Sequence, residues 1–235
     1  MSRPRLVVAL DVPDAERALQ VAAALYGHAD VLKVGLQLFI AQGPPLVRQL
    51  MSMGWGIFLD LKIHDIPATA AGAVRSAAEL GVELLTLHTT GGRKMLEAAV
   101  AARPTQQAPR LLGVTLLTSL SAEDLPAVGV HDDPASVVAR RCQLAHDSGC
   151  DGVVASVREA AAIRARWGSQ FLVVTPGIRP VGADAHDQAR VATPSAAVAA
   201  GADYLVVGRP ILQADDPAAA AAAIRASMES PTGAN

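Results

Sequence analysis

Residues 56–80 of the chain have the sequence GIFLDLKIHDIPATAAGAVRSAAEL. The part at 56–61 is mostly apolar and has the length of one buried β-strand, whereas small and apolar residues recur at helical spacing after Pro67. Pro67 stands where the first turn of a helix tolerates proline. The stretch therefore predicts one βα unit, with a strand over 56–61 and a helix over Pro67–Leu80.

The same unit recurs on both sides of this stretch. Further apolar strand patterns lie at 6–10, 31–34, 84–87, 111–116, 152–155, 171–174 and 204–207. Further helical patterns lie at 14–25, 44–53, 93–102, 134–147, 157–166, 195–200 and 217–228. Eight βα units in a chain of this length predict a single (β/α)8 TIM barrel, with an open doubly wound sheet as the alternative because local patterns do not show closure. We expect one catalytic domain over 1–235, with a flexible tail at 230–235.

The composition excludes several classes of protein. Hydrophobic residues make up 51% and charged residues 18%, which is typical of a globular protein with a sizeable core. The formal net charge is -2 and no run of Lys or Arg occurs, so we expect no nucleic-acid or membrane-surface partner. No apolar stretch reaches the ~18 residues of a membrane span, and the two cysteines lack zinc-ligand spacing. These features predict a cytoplasmic protein.

Polar residues recur where the predicted strands end, which in a barrel of this class is the side of the active site. Asp60 and Lys62 are two residues apart inside an apolar run, so both side chains are expected on one face of the strand, towards the barrel interior. Burying unpaired charges is costly, which favours a functional pair, although a structural salt bridge at the top of the barrel is the alternative. Lys33 likewise lies inside the apolar run of the second strand, and other strand ends carry Asp11, His88, Thr118 with Ser119, Arg179, and Gly208 with Arg209.

Several motifs resemble those of the orotidine 5'-monophosphate decarboxylase family, especially its bacterial branch. The most specific is FLDLKIHDIP at 58–67, and the others are ALDV at 9–12, LKVG at 32–35, LTS at 117–119, TPGIRP at 175–180, DQAR at 187–190 and VVGRPI at 206–211. Their order and spacing agree over residues 6–228. One departure is Ala68, where many members have Asn, and we expect it to affect local packing or capping of the loop.

The resemblance implies a catalytic role for four residues. Lys62 would donate a proton to C6 of the pyrimidine and stabilise the negative charge that develops there. Asp60 would lie beside the substrate carboxylate, and Asp65 and Lys33 would complete an alternating chain of charges that keeps Lys62 charged and oriented.

The resemblance also implies a substrate-binding set and a partner. Asp11 and Lys33 would contact the ribose, Thr118 and Ser119 the pyrimidine edge or the ribose, and the arginines the phosphate. The full expected set is Asp11, Lys33, Asp60, Thr69, Thr118, Ser119, Pro176, Arg179, Gln188, Gly208 and Arg209. We expect a homodimer in which Asp65 and Thr69 enter the partner's site, with no cofactor and no metal.

Two other functions share parts of this pattern. The D-x-K-x-x-D core also occurs in metal-dependent hexulose-phosphate synthases and keto-gulonate-phosphate decarboxylases, so a magnesium-dependent sugar-phosphate lyase or synthase is one alternative. A catalytically silent phosphate-ligand binder is the other, although it would have no need to retain a buried lysine. His64 and His88 lie near the expected site, where we expect hydrogen-bonding support from them and no metal ligation.

Overall fold

A computed structural model describes residues 3–104, 109–121, 123–180 and 192–229. Eight parallel strands form a closed barrel in sequence order, with β8 pairing back onto β1 through Leu6 and Leu205. The predicted barrel is therefore confirmed, and the open-sheet alternative is wrong. The strands are β1 Arg5–Ala9, β2 Val31–Gly35, β3 Gly56–Ile63, β4 Leu84–His88, β5 Arg110–Val114, β6 Gly152–Val154, β7 Leu172–Thr175 and β8 Tyr204–Val207.

Helices alternate with the strands and cover the outside of the barrel. Within the described ranges they are α1 Ala15–Ala24, α2 Leu36–Ser52, α3 Pro67–Leu80, α4 Gly92–Ala101, α5 Pro134–Asp147, α6 Val157–Trp167, α7 Pro194–Ala199, α8 Arg209–Leu212 and α9 Pro217–Glu229. Short 3-10 segments lie at Thr89–Gly91, Pro126–Val128 and Gly168–Gln170. None of these helices is long and apolar enough to cross a membrane.

Local sequence signals explain where many helices begin and end. The Asp14 carboxylate accepts a hydrogen bond of 2.8 Å from the Arg17 amide at the start of α1, and Asp133 caps α5 in the same way. Helix α3 ends at Gly81, whose φ of 86° is a conformation that glycine adopts without a steric penalty.

The core has two layers on either side of the barrel wall. Alternate strand residues such as Val7, Phe58 and Leu84 fill the interior, while their neighbours pack outward against the helices. At the N-terminal end of the strands, Arg5, Glu83 and Tyr204 form a hydrogen-bonded cluster. The hydrogen-bonding groups of these side chains therefore satisfy one another at this end of the barrel.

Three element boundaries differ from the sequence predictions by more than one residue. Helix α2 was expected from 44 but begins at Leu36, because the segment before the kink at Gly43 is helical too. Strand β5 was expected to reach 116 but ends at Val114, so Thr118 and Ser119 lie on the following loop. Strand β3 runs two residues beyond the expected 61, because a bulge lets it pair with β4 again at Ile63.

Candidate active site

A cavity of about 260 Å³ opens at the C-terminal ends of the strands. Its floor is apolar and comes from interior-facing residues of the barrel, including Ala9, Phe58 and Val206. Most of the site residues expected from the sequence lie around its wall, namely Asp11, Lys33, Asp60, Lys62, Thr118, Ser119, Pro176, Arg179, Gly208 and Arg209.

Four side chains from β1 to β3 form an alternating row of charges along one wall. Lys33 Nζ lies 3.2 Å from Asp11 Oδ1 and 3.6 Å from Asp60 Oδ2. Lys62 Nζ donates to both oxygens of Asp60, at 3.0 and 2.9 Å. Exposure increases towards the two ends of the row, from 12% for the side chain of Asp60 to 39% for Lys62 and 57% for Asp11. The inner charges are thus fixed, whereas the outer two remain available to a ligand.

The bulge in β3 determines how Asp60 and Lys62 face this cavity. Leu59 pairs with Leu85 and Ile63 pairs with Leu87, so the three residues 60–62 lie opposite a single residue of β4, Thr86. Lys62 has a φ of 51°, the one positive value at a non-glycine residue in the described part of the chain. The two charged side chains share a face as predicted, but a bulge brings them together where simple strand alternation was expected.

Thr86 is the functional neighbour that the sequence prediction missed. Its hydroxyl accepts a hydrogen bond from the Lys62 backbone amide and donates one to Asp60 Oδ1, both at 2.9 Å. In the sequence, Thr86 is one polar residue within the apolar run LLTLH at 84–88. Its position two residues after the interior-facing Leu84 was the available signal, because that spacing places it inside the barrel.

The environment of Asp60 keeps this carboxylate ionised. Burial by itself would raise its pKa, but the charges of Lys33 and Lys62 and the hydrogen bonds from Lys62 and Thr86 outweigh burial, so the pKa lies below its ordinary value. The row therefore keeps a fixed negative charge between its two lysines.

The opposite wall carries two arginines. Strands β3 and β7 are four apart in an eight-stranded ring, so residues after β7 face the Asp60–Lys62 pair across the cavity. Arg179 is only 7% exposed, and its guanidinium donates to the Ile178 carbonyl at 2.9 Å. Arg209 follows Gly208 at the end of β8 and lines the same cavity. Two guanidinium groups on one wall suit an anionic group of a ligand.

Two expected site residues, Asp65 and Thr69, do not line the cavity of the single chain. Both are exposed: Asp65 lies between β3 and α3, where its Oδ1 accepts a hydrogen bond of 2.6 Å from the Ile66 amide, and Thr69 lies in the first turn of α3. Gln188 lies outside the described residues.

The two histidines near the site contact each other. The rings of His64 and His88 stack with their centroids 5.5 Å apart, and Thr90 hydrogen-bonds to His88 Nδ1. Burial, together with the nearby charges of His64, Arg141 and Lys62, lowers the pKa of His88 to about 4. Among the described residues, no three His, Cys, Asp or Glu side chains are grouped as metal ligands would be.

Comparison with known proteins places the chain in a family. The model of the "Orotidine 5'-phosphate decarboxylase / HUMPS family" matches residues 4–224. A relative named orotidine 5'-phosphate decarboxylase in Halorhodospira halophila is 54% identical over 226 residues, which cover 96% of each chain. A relative of the same name in Hydrogenovibrio crunogenus is 50% identical with the same coverage.

Solved structures agree with this assignment. The orotidine 5'-phosphate decarboxylase of Lactobacillus acidophilus is 37% identical, with a TM-score of 0.85 over 97% of this chain and 100% of that one. The enzyme of the same name from Pyrococcus horikoshii is 27% identical, with a TM-score of 0.77 over 96% of this chain and 99% of that one. The resemblance found in the sequence motifs is confirmed, and the chain belongs to the orotidine 5'-phosphate decarboxylase family.

Proposed function

We propose that this chain decarboxylates orotidine 5'-monophosphate to uridine 5'-monophosphate in pyrimidine synthesis, with Lys62 as the proton donor. The observation that carries the proposal is the row of charges from Asp11 to Lys62, set over an apolar cavity floor and opposite two arginines. In this arrangement one wall of the cavity would contact the reacting part of the substrate, and the opposite wall would bind its phosphate.

The reaction needs charge stabilisation at C6. When the bond between C6 and the carboxylate breaks, the electron pair stays on C6, carbon dioxide leaves, and a proton must be supplied to that carbon. The Lys62 ammonium can stabilise the electron pair and then donate the proton, and its 39% side-chain exposure allows solvent to restore it. Electrostatic stabilisation by Lys62 is therefore the main contribution that we assign to the protein.

Asp60 makes a second, smaller contribution. Its low pKa keeps it ionised, and in the proposed complex it lies beside the carboxylate of the substrate. Repulsion between these two negative charges disappears as neutral carbon dioxide departs. We rank this relief of ground-state stress below charge stabilisation by Lys62.

The binding roles follow from the positions around the cavity. We assign Asp11 and Lys33 to the ribose hydroxyl groups, and Thr118 and Ser119 to the pyrimidine edge or the adjacent ribose. Arg179, Arg209 and the Gly208 amide are assigned to the phosphate, together with Gln188. Pro176 lines the cavity at the end of β7 and completes the proposed set.

We propose that two copies of the chain share their sites. Asp65 and Thr69 are exposed and do not line their own cavity, and Ile66 between them is 66% exposed. Ile40, in the neighbouring βα unit, is 75% exposed. An apolar surface beside exposed polar residues suits a two-fold interface, through which Asp65 would reach the row of charges of the partner subunit.

One assay tests the activity and its metal requirement together. Purified protein is mixed with orotidine 5'-monophosphate, and the loss of substrate absorbance is followed with and without EDTA. We expect full turnover in EDTA, because the Lys and Asp groups supply the charge. The alternative enzyme is a magnesium-dependent sugar-phosphate lyase or synthase. Turnover that requires added magnesium would favour that alternative, and nucleotide binding without turnover would favour the silent binder.

A further inference from the structure

Thr86 is the single residue of β4 that lies opposite the three-residue bulge of β3. It is 0% exposed, so water does not compete for its hydroxyl. A buried hydroxyl has one proton to donate and lone pairs to accept with, and Thr86 uses both. It accepts from the Lys62 amide and donates to Asp60 Oδ1, each at 2.9 Å.

These two hydrogen bonds hold the backbone of Lys62 and the carboxylate of Asp60, which together form the reactive pair. The bond to the amide fixes the backbone of Lys62 in the left-handed conformation, which an L-residue rarely adopts unless its surroundings hold it there. The bond to the carboxylate fixes the orientation of Asp60, whose other contacts are the two flexible lysine side chains. One oxygen atom thereby links the direction of Lys62 to that of Asp60.

We propose that Thr86 is a positioning residue, whose hydroxyl sets the direction in which Lys62 and Asp60 face the substrate. The proposal rests on the proposed role of Lys62. The residue acts through its neighbours and does not line the cavity. The Thr86 hydroxyl affects the geometry of the transition state. Removal of this hydroxyl therefore lowers kcat more than it changes KM.

The chain offers a matched set of variants. Thr86→Ser and Thr86→Ala both remove the buried methyl group and differ in the hydroxyl alone, while Thr86→Val keeps the shape and removes the hydroxyl. Thr89→Val is the control for losing a buried threonine hydroxyl, because Thr89 is 1% exposed and donates to the Val114 carbonyl at 2.8 Å, away from the reactive pair. Thermal unfolding is measured for every variant, so that a loss of fold is recognised.

The kinetic readout is kcat and KM for orotidine 5'-monophosphate. We expect kcat to fall about tenfold to a hundredfold in Thr86→Ala and Thr86→Val, the range of a hydrogen bond to a charged group. KM should change by less than about threefold, and Thr86→Ser and Thr89→Val should stay within about threefold of wild type in kcat. Equal kcat values for Thr86→Ser and Thr86→Ala would overturn the proposal, even if Thr86→Val does not fold.

A second readout is independent of turnover. Exchange of the Lys62 amide proton, measured by NMR, should be faster in Thr86→Ala than in Thr86→Ser, because only the serine keeps an acceptor for that amide. Wild-type protection of this amide in Thr86→Ala would overturn the positioning role whatever the activity. A wild-type protein that leaves orotidine 5'-monophosphate unchanged would instead refute the proposed function, and the exchange data would still decide the role of Thr86.

Discussion

Replacing Lys62 with alanine separates catalysis from folding, because the structure assigns very different magnitudes to the two effects. After the replacement, Asp60 still accepts a hydrogen bond of 2.9 Å from Thr86 and lies 3.6 Å from Lys33. The carboxylate therefore keeps partners, and the lost ammonium was 39% exposed. We expect the free energy of unfolding to fall by only about 1–2 kcal/mol. This is less than a fully buried hydrogen bond to a charged group contributes, because solvent screens the exposed ammonium.

Turnover should fall far more. The loss of a proton donor is worth about 10²-fold or more, and the loss of a fixed charge at the reacting centre about another 10²-fold. We therefore expect kcat to fall by about 10⁴-fold or more, while the dissociation constant of uridine 5'-monophosphate stays within about tenfold because the ribose and phosphate contacts remain.

Two further variants make the interpretation specific. Lys62→Arg keeps a cation beside Asp60 but replaces the ammonium with a guanidinium that stays protonated, so its stability should stay near wild type while kcat falls about 10²-fold or more. Lys94→Ala removes an exposed lysine of α4 and should change neither quantity. The measurements are urea unfolding, steady-state kinetics and calorimetry of nucleotide binding. A folded Lys62→Ala protein with kcat within about tenfold of wild type would refute the assignment of the proton donor.

The other predictions concern the partner, the phosphate and pH. Mixing Lys62→Ala with Asp65→Ala subunits should restore about a quarter of the sites after random exchange, because half of the dimers are mixed and each mixed dimer carries one intact site; no recovery after proven exchange would contradict shared sites. Arg209→Ala should lower kcat/KM for orotidine 5'-monophosphate by about tenfold to a hundredfold. Turnover of orotidine, which has no phosphate, should stay nearly unchanged. Equal losses on both substrates would mean that Arg209 does not act through the phosphate. Since the pKa of His88 falls from 6.5 to about 4 on folding, the unfolded chain binds more protons between these values, and the free energy of unfolding decreases as the pH falls from 6.5 towards 4. In urea titrations at pH 7 and pH 5, His88→Gln should reduce this decrease by at most about 1–2 kcal/mol, because the ring is only partly buried and solvent screens its charge; the same pH dependence in the variant would mean that other groups cause it.

Much of the barrel could be predicted because its strands are short apolar runs and its helices have their own starting signals. The run at Tyr204–Val207 is a strand as predicted, and Pro67 and Pro134 begin helices as their sequence contexts indicated. Helix α2 was predicted only in its second half, because Gly43 and the two following prolines resemble the start of a new helix. Closure of the barrel depends on the pairing of β1 with β8, which no local pattern contains.

The candidate site could be predicted as a set of residues but not as a geometry. Charges inside apolar runs identified Lys33, Asp60 and Lys62, since such residues require partners. The bulge that lets Lys62 reach Asp60 depends on how β4 pairs with β3, so its partner Thr86 was not identified from the sequence. The placement of Asp65 across a subunit interface remains a prediction.

The backbone conformation of Lys62 also limits how position 62 can evolve. An L-residue with a φ of 51° is less stable than glycine there by roughly 1 kcal/mol, because its Cβ crowds the carbonyl oxygen that follows it. Among residues that cannot pair with Asp60, a library randomised at this codon and selected only for folded protein should therefore enrich glycine or asparagine. Selection for growth without added pyrimidine should restore lysine from the same library. At position 62 the ion pair of lysine with Asp60 thus offsets a backbone cost that glycine would avoid.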